Sequence, residues 1–236
     1  MAPQNKLVRF KSIDIEDVFE KESKLLKQVQ SGKLSKVLIL WQAKTPTLVL
    51  PSGKKWRQSD ELITALQTLG WHLIARKTGG APVPQLPGII NLSYIYPWPN
   101  ERPYDIKLSY QNLCSILTEF FISLGIKTDI HATPHSYCDG DYNLNIKGKK
   151  VVGTAQRVVL NKDGSRVVLS QACILVDAVM PKIVEPVNLC NQLCGYPNKI
   201  LADVHTTLFS HTNQRPCIDS LFQTLTKAFI DNAQYL

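Results

Sequence analysis

Residues 136–157 constrain the fold of this chain more than any other stretch. Tyr142, Leu144 and Ile146 alternate with Asp141, Asn143 and Asn145, the two-residue period of a strand with one buried face. Lys147-Gly148-Lys149 supplies a tight turn, with a glycine free to take positive φ, and Lys150-Val151-Val152 begins the return strand. Gly153-Thr154-Ala155 are small residues along which a ligand can approach the backbone. A hairpin therefore places Cys138 in the turn before one strand and Lys150 at the start of the other. Lys150 falls nearer in register to residue 146 than to Cys138, so contact between the two is allowed by the pattern and not required by it.

A cysteine beside a fixed cation is more fully thiolate and a better nucleophile. A cysteine taken without context is more often a buried core residue, so Cys138 as a nucleophile needs support from elsewhere in the chain.

At 236 residues the chain is long enough to bury a substantial core, and its 44% hydrophobic and 19% charged content is that of a globular protein. The formal charge of +8 favours anionic partners. The lysines and arginines are scattered and accompany no nucleic-acid motif, so a nucleic-acid partner is not expected. No apolar run is long enough to span a bilayer, so neither is a membrane. The opening residues hold no apolar segment of the secretory kind. A cytoplasmic location is therefore expected, with the six cysteines reduced. Cys190 and Cys194 are spaced as two ligands on one helix turn, but His205 and His211 follow at wider spacing and complete no zinc set; no metal is expected.

The remaining chain reads as one α+β domain over residues 1–236, with a core at about 14–180 and a helical portion at 181–236. Residues 14–30 form a helix with Asp14 as cap. Residues 37–41 and 46–50 read as two strands joined by the turn at 42–45, and residues 60–69 as a helix capped by Ser59. A strand at 71–75 runs into Arg76-Lys77-Thr78-Gly79-Gly80, where backbone amides can approach a ligand and an arginine can hold a carboxylate or phosphate. A strand at 89–94 points Asn91 and Ser93 to one side. Residues 104–124 form the longest helix, residues 127–132 a further strand, and 158–160 and 167–176 a second hairpin around Asp163-Gly164. Pro181 and Pro186 bracket a break before helices at 187–195 and 216–233.

Arg76 to Gly80, Gly88-Ile89-Ile90-Asn91-Leu92-Ser93 and Lys150 to Arg157, in that order, resemble the biotin and lipoate protein ligase superfamily. Within it the chain is most similar to the cysteine-dependent octanoyl and lipoyl transferases, whose nucleophile segment resembles residues 136–142. The resemblance implies a mixed, mainly antiparallel sheet packed with helices. It implies Cys138 as nucleophile and Lys150 as the group that contacts the acyl carbonyl. Arg76, Thr78, Gly79, Gly80, Asn91, Ser93, Gly153, Thr154, Ala155 and Gln156 would line the acyl site. The implied activity is transfer of an octanoyl or lipoyl group onto a lysine of a lipoyl domain or an H-protein-like carrier, with no cofactor. Two departures stand out: Ala75 replaces the first of two successive arginines common in the family, and Gln85 replaces a histidine often found after the glycine pair.

Two other readings share these residues. An ATP-dependent, magnesium-using lipoate ligase would use the same loop and lysine to hold an acyl adenylate, with Cys138 a bystander. A non-catalytic binder of lipoyl domains or fatty acids is compatible with Ala75 and Gln85. The cysteine in its polar turn favours the transferase.

Overall fold

Of the strand expected over residues 141–146, Leu144–Ile146 forms and the turn after it is present in the computed structural model of the chain, which describes residues 3–76, 80–196 and 198–232. The strands are β1 (Gln4–Ile13), β2 (Leu34–Ala43), β3 (Thr47–Leu50), β4 (His72–Ala75), β5 (Val83–Gln85), β6 (Ile89–Pro97), β7 (Asp129–Ile130), β8 (Leu144–Ile146), β9 (Lys149–Leu160) and β10 (Arg166–Leu175). The helices are α1 (Ile15–Gln30), α2 (Asp60–Thr68), α3 (Ile106–Ser123), α4 (Met180–Leu193) and α5 (Ile218–Asn232).

Seven strands form one sheet in the order β1-β2-β6-β10-β9-β8-β7, and β4-β3-β5 form a smaller one. Every neighbour in the large sheet is antiparallel except β1 beside β2. The expected mixed, mainly antiparallel α+β architecture is therefore what the chain adopts. Helices α3 and α5 cover one face of the large sheet, with Leu113, Leu117, Phe120, Phe121, Phe222 and Leu225 meeting Leu92, Ile174 and Val152 in one apolar cluster. On the other face α1 packs Val18, Leu25 and Val29 against Ile39 and Ile95. The small sheet, α2 and α4 pack beside it around Leu48, Leu62, Leu175 and Ile183. The functional face lies where these last two groups meet.

The β8–β9 hairpin turns through Lys147 and Gly148, both at positive φ (51° and 75°), and Ile146 pairs with Lys149 across it. This two-residue turn matches the natural twist of paired strands and fixes their register. The polar side of β8 is not solvated as the alternation implied: Asn143 and Asn145 are both buried. Their amides bind the preceding loop, Asn145 donating to the His131 carbonyl and accepting from Thr133, so burial leaves no polar group unmatched.

Several expectations need correction. Residues 37–41 and 46–50 do form strands, but β2 joins the large sheet and β3 the small one, paired with β4 and β5. Pro181 and Pro186 do not break the chain. Pro181 sits in the first turn of α4, where no intrahelical N–H bond is lost, and Pro186 lies inside the helix with its ring buried. The strand at 127–132 contracts to the two residues of β7. The Ser59 cap is as expected, its side chain accepting from the Leu62 N–H, whereas Asp14 at the start of α1 makes no side-chain cap bond. Among the described residues no helix is long and apolar enough to cross a membrane, and no three His, Cys, Asp or Glu side chains are grouped to hold a metal ion.

Candidate active site

Lys150 is completely buried. Its ammonium donates to the carbonyl oxygens of Tyr137 and Cys138, the latter at 2.7 Å, and lies 4.5 Å from the centre of the Tyr137 ring. Burial pulls its pKa down, opposed by the neighbouring Cys138, Cys173 and Asp139. An ammonium has three donors, and two are used here, leaving one for a ligand. The contact with Cys138 therefore runs through the backbone carbonyl. Gly153 makes this possible, because a Cβ there would come within 3.2 Å of both Cε and Nζ of Lys150.

Cys138 is half-buried, with its backbone at φ 53°, a left-handed conformation uncommon outside glycine. Its carbonyl accepts from Lys150 and, at 3.0 Å, from Asn143 Nδ2. Those two bonds hold the turn in a conformation that costs about 1 kcal/mol or more on its own.

Behind Tyr137 stands His205, its ring stacked at 4.9 Å and 12°. The strand-like bonds Lys150 N–H to Val204 and Thr206 N–H to Lys150 O tie this segment to β9. His205 Nδ1 lies 2.9 Å from the Leu201 carbonyl, which can only accept, so Nδ1 carries the proton. Burial, reinforced by the Lys150 charge, lowers the His205 pKa to about 4.

A slot enclosing about 620 Å³, its open mouth included, starts at Tyr137, Cys138 and Lys150 and runs across β9, β10 and β6. Phe19, Trp41, Val49, Val83 and Ala155 give it apolar walls. Gly153, Cys173 and Asn91 are aligned across the three strands, as are Ala155, Gln171 and Ser93 two residues further along.

Of the residues expected to line this site, Arg76, Asn91, Ser93, Gly153, Thr154 and Ala155 do so together with Cys138 and Lys150. Arg76 donates to the Ala81 carbonyl at 3.2 Å, and its pKa is lowered by burial against the opposing influence of Cys138, Cys173 and Glu22. Gly80, at φ 117°, would bring a Cβ within 3.1 Å of the Arg76 guanidinium. Thr78 and Gly79 lie outside the described residues. Gln156 is turned away, its amide donating to the Ile106 carbonyl at the start of α3. Thr154 uses its hydroxyl on the Tyr142 carbonyl at 2.8 Å.

Gln85 and Asn91 form a reciprocal amide pair, at 2.9 and 2.7 Å. Gln85 thus has a defined place in the slot wall, where the resemblance led one to look for a histidine. Ser93 donates to Glu22, which also accepts from Gln171 at 2.8 Å. Burial raises the Glu22 pKa despite these bonds.

Cys173 shares the slot with Cys138. It is buried, and desolvation pushes its thiol to about 11 in spite of Gln85, Lys150 and Arg76, so it is a neutral thiol at ordinary pH. Cys138, partly exposed at the mouth, is the one of the two that an incoming group can reach.

Tyr137, Glu22, Gln171 and Cys173 are not among the site residues read from the sequence, and His205 enters there only as a candidate zinc ligand. Glu22 left a legible signal: it interrupts the buried stripe of Val18, Leu25, Leu26 and Val29 on α1, and a carboxylate in an apolar stripe calls for partners. The others left none, since contacts between residues 137 and 205 depend on how a loop folds back.

This fold and site define a catalytic domain of the lipoyl ligase kind. The lipoyl protein ligase A/B catalytic domain family matches residues 14–230, and the chain belongs to that family. Among its relatives, the octanoyl-[GcvH]:protein N-octanoyltransferase of Geobacillus kaustophilus is 27% identical over 146 residues, spanning 62% of this chain and 51% of the relative, about half its length. The uncharacterized protein H16_B0148 of Cupriavidus necator is 33% identical over 176 residues, covering 69% of this chain and 68% of the other. Among solved structures, lipoate-protein ligase A bound with ATP superposes with a TM-score of 0.75 at 14% identity, over 98% of this chain and 86% of that one; at that identity the likeness is one of fold.

Proposed function

We propose that the protein transfers an octanoyl or lipoyl group from one carrier protein to a lysine of another, through a thioester on Cys138. The observation that carries this reading is the convergence of Cys138 and Lys150 at the mouth of one slot, with Lys150 bound to the Cys138 carbonyl. Relatives named as octanoyl transferases acting on GcvH support the substrate class.

The donor's acyl chain lies along the slot with its carbonyl beside Lys150. The remaining N–H of the ammonium donates to that oxygen and offsets charge as it develops. The Cys138 sulfur attacks the carbonyl carbon, the C–S bond forms, the C–N bond to the donor lysine breaks, and the leaving amine takes up the thiol proton. A second lysine amine then reverses these events onto the acceptor. The donor is already acylated, so this route calls for no nucleotide, metal or other cofactor. The basic excess of the chain, +8, favours encounter with acidic carrier domains. In this reading residues 1–236 act as one catalytic domain, working in the cytoplasm.

A second reading has one observation behind it: the shared fold with lipoate-protein ligase A bound with ATP. There Lys150 would hold an acyl adenylate and Cys138 would be structural. Intact mass spectrometry after mixing the protein with octanoyl-loaded H-protein, without ATP, tests the two. A hydroxylamine-labile octanoyl adduct on the wild type and none on Cys138→Ala is the expected result. Acceptor modification by Cys138→Ala at the normal rate, only when ATP and free acid are supplied, would replace it with the ligase.

A further inference from the structure

A second cleft, of about 1360 Å³ with its open mouth, meets the acyl slot at Tyr137 and Cys138 and is otherwise separate from it. It is walled by Trp56 and Tyr196, whose rings lie 5.5 Å apart at 46°. The Lys55 ammonium sits 4.4 Å from the Trp56 ring and 4.7 Å from the Tyr196 ring, so a primary ammonium rests against both side chains at once. Lys55 itself is exposed and can swing into solvent.

The notch is built rather than incidental. Trp56 Nε1 donates to Asn191 Oδ1 at 3.1 Å, and Asn191, only 6% exposed, donates to the Asn198 carbonyl at 3.2 Å. Asn188 closes two further bonds with Ile200. The Leu201 N–H binds the His135 carbonyl, which couples the segment carrying Tyr196 to the loop carrying Cys138. Aromatic faces attract ammonium groups and cover apolar stems.

We infer that the Trp56–Tyr196 notch is the seat of the carrier protein's lysine side chain on its way to Cys138, a binding site distinct from the acyl slot. This rests on the thioester reading above. The lysine stem lies along the edges of the two rings, and Lys55 vacates the position. The neutral amine attacks the thioester carbonyl carbon, a C–N bond forms, the C–S bond breaks with its electron pair on the Cys138 sulfur, and the amine's surplus proton passes to water. The acyl group arrives from one side of Cys138 and the lysine from the other, so neither has to leave before the other binds.

The test separates loading from discharge. Cys138 is loaded with octanoyl N-acetylcysteamine, a thioester with no lysine limb, and discharged with either Nα-acetyl-lysine methylamide or hydroxylamine. Trp56→Ala and Tyr196→Ala should load at the wild-type rate and discharge to hydroxylamine normally, while the KM for the lysine amide rises about tenfold, with Trp56→Phe restoring most of it. Lys55→Ala, at an exposed position, should lower that KM about threefold because the competing amine is gone, and it supplies the answer if an aromatic variant fails to fold. An unchanged KM in all variants, or equal slowing of hydroxylamine, would overturn the assignment. So would quenching of tryptophan fluorescence by ATP that disappears in Trp56→Phe, which would give the cleft to a nucleotide. Absence of any adduct on the wild type would overturn the thioester reading itself, and this assignment with it.

Discussion

The ammonium of Lys150 lies 2.7 Å from the carbonyl oxygen of Cys138, so one buried cation faces the ligand slot and also holds the backbone of the candidate nucleophile. Lys150→Met removes both roles while filling similar space. Loading of Cys138 should fall at least about a hundredfold. Stability should change little, since the lost bonds to two carbonyls are offset by relief from burying a charge. Acyl loading followed by mass spectrometry, beside thermal unfolding, gives both numbers; a large loss of melting temperature would mean the lysine is chiefly structural.

Gly153→Ala places a methyl group 3.2 Å from Cε and Nζ of Lys150. The ammonium is fixed by two carbonyls and the Tyr137 ring, so it cannot move aside without losing a bond. Acyl loading should drop about tenfold with a stability loss of about 1 kcal/mol, read by single-turnover kinetics and denaturant unfolding. Normal loading would show that Lys150 has slack.

His205 gives the fold a specific acid sensitivity. Its pKa is lowered from 6.5 to about 4 by burial and by Lys150. Between those values the unfolded chain binds the proton and the folded one does not, so stability falls as the pH drops from 6.5 to 4 and levels off below. The shift corresponds to about 3 kcal/mol. His205→Phe keeps the stack on Tyr137 and removes the titration. From pH 7 to pH 4 the wild type should lose about 3 kcal/mol more than the variant, read from denaturant unfolding at each pH; parallel curves would place the sensitivity elsewhere.

Gly88 joins β6 to the end of β10. It sits at φ 93°, and its carbonyl accepts from the N–H groups of Val176 and Asp177. A Cβ there would come within 2.0 Å of the Asp177 carbonyl oxygen. Gly88→Ala should cost about 3 kcal/mol or more through clash and strain together. Thermal unfolding checks this, and a melting temperature within a few degrees of wild type would refute it.

The elements most legible in the sequence are those whose signals are local. Ser59 before an apolar helical stripe marks the start of α2, and Gly125 after Phe121 marks the end of α3. Lys147-Gly148 and Asp163-Gly164 mark two hairpins. What escaped is set by partners distant in sequence. β1 is mostly exposed and rich in charge, an edge strand recognised only by its pairing with β2. The assignment of β2 and β3 to separate sheets follows from strands that arrive later in the chain. At the site, small residues and Cys138 could be read from their neighbours, whereas the stack of His205 on Tyr137 and the bond from Ser93 to Glu22 join segments 68 and 71 positions apart.

The turn at Lys147 and Gly148 has a consequence for how this site can fail. Three lysines, at 147, 149 and 150, crowd a two-residue hairpin, yet only Lys150 is enclosed. Because alternate strand residues face opposite ways, pairing displaced by one position would turn Lys150 outward and offer a neighbour in its place. Its bonds to Tyr137 and Cys138 would then be lost. Correct pairing of this hairpin and the bonds that Lys150 makes at the site are therefore one condition.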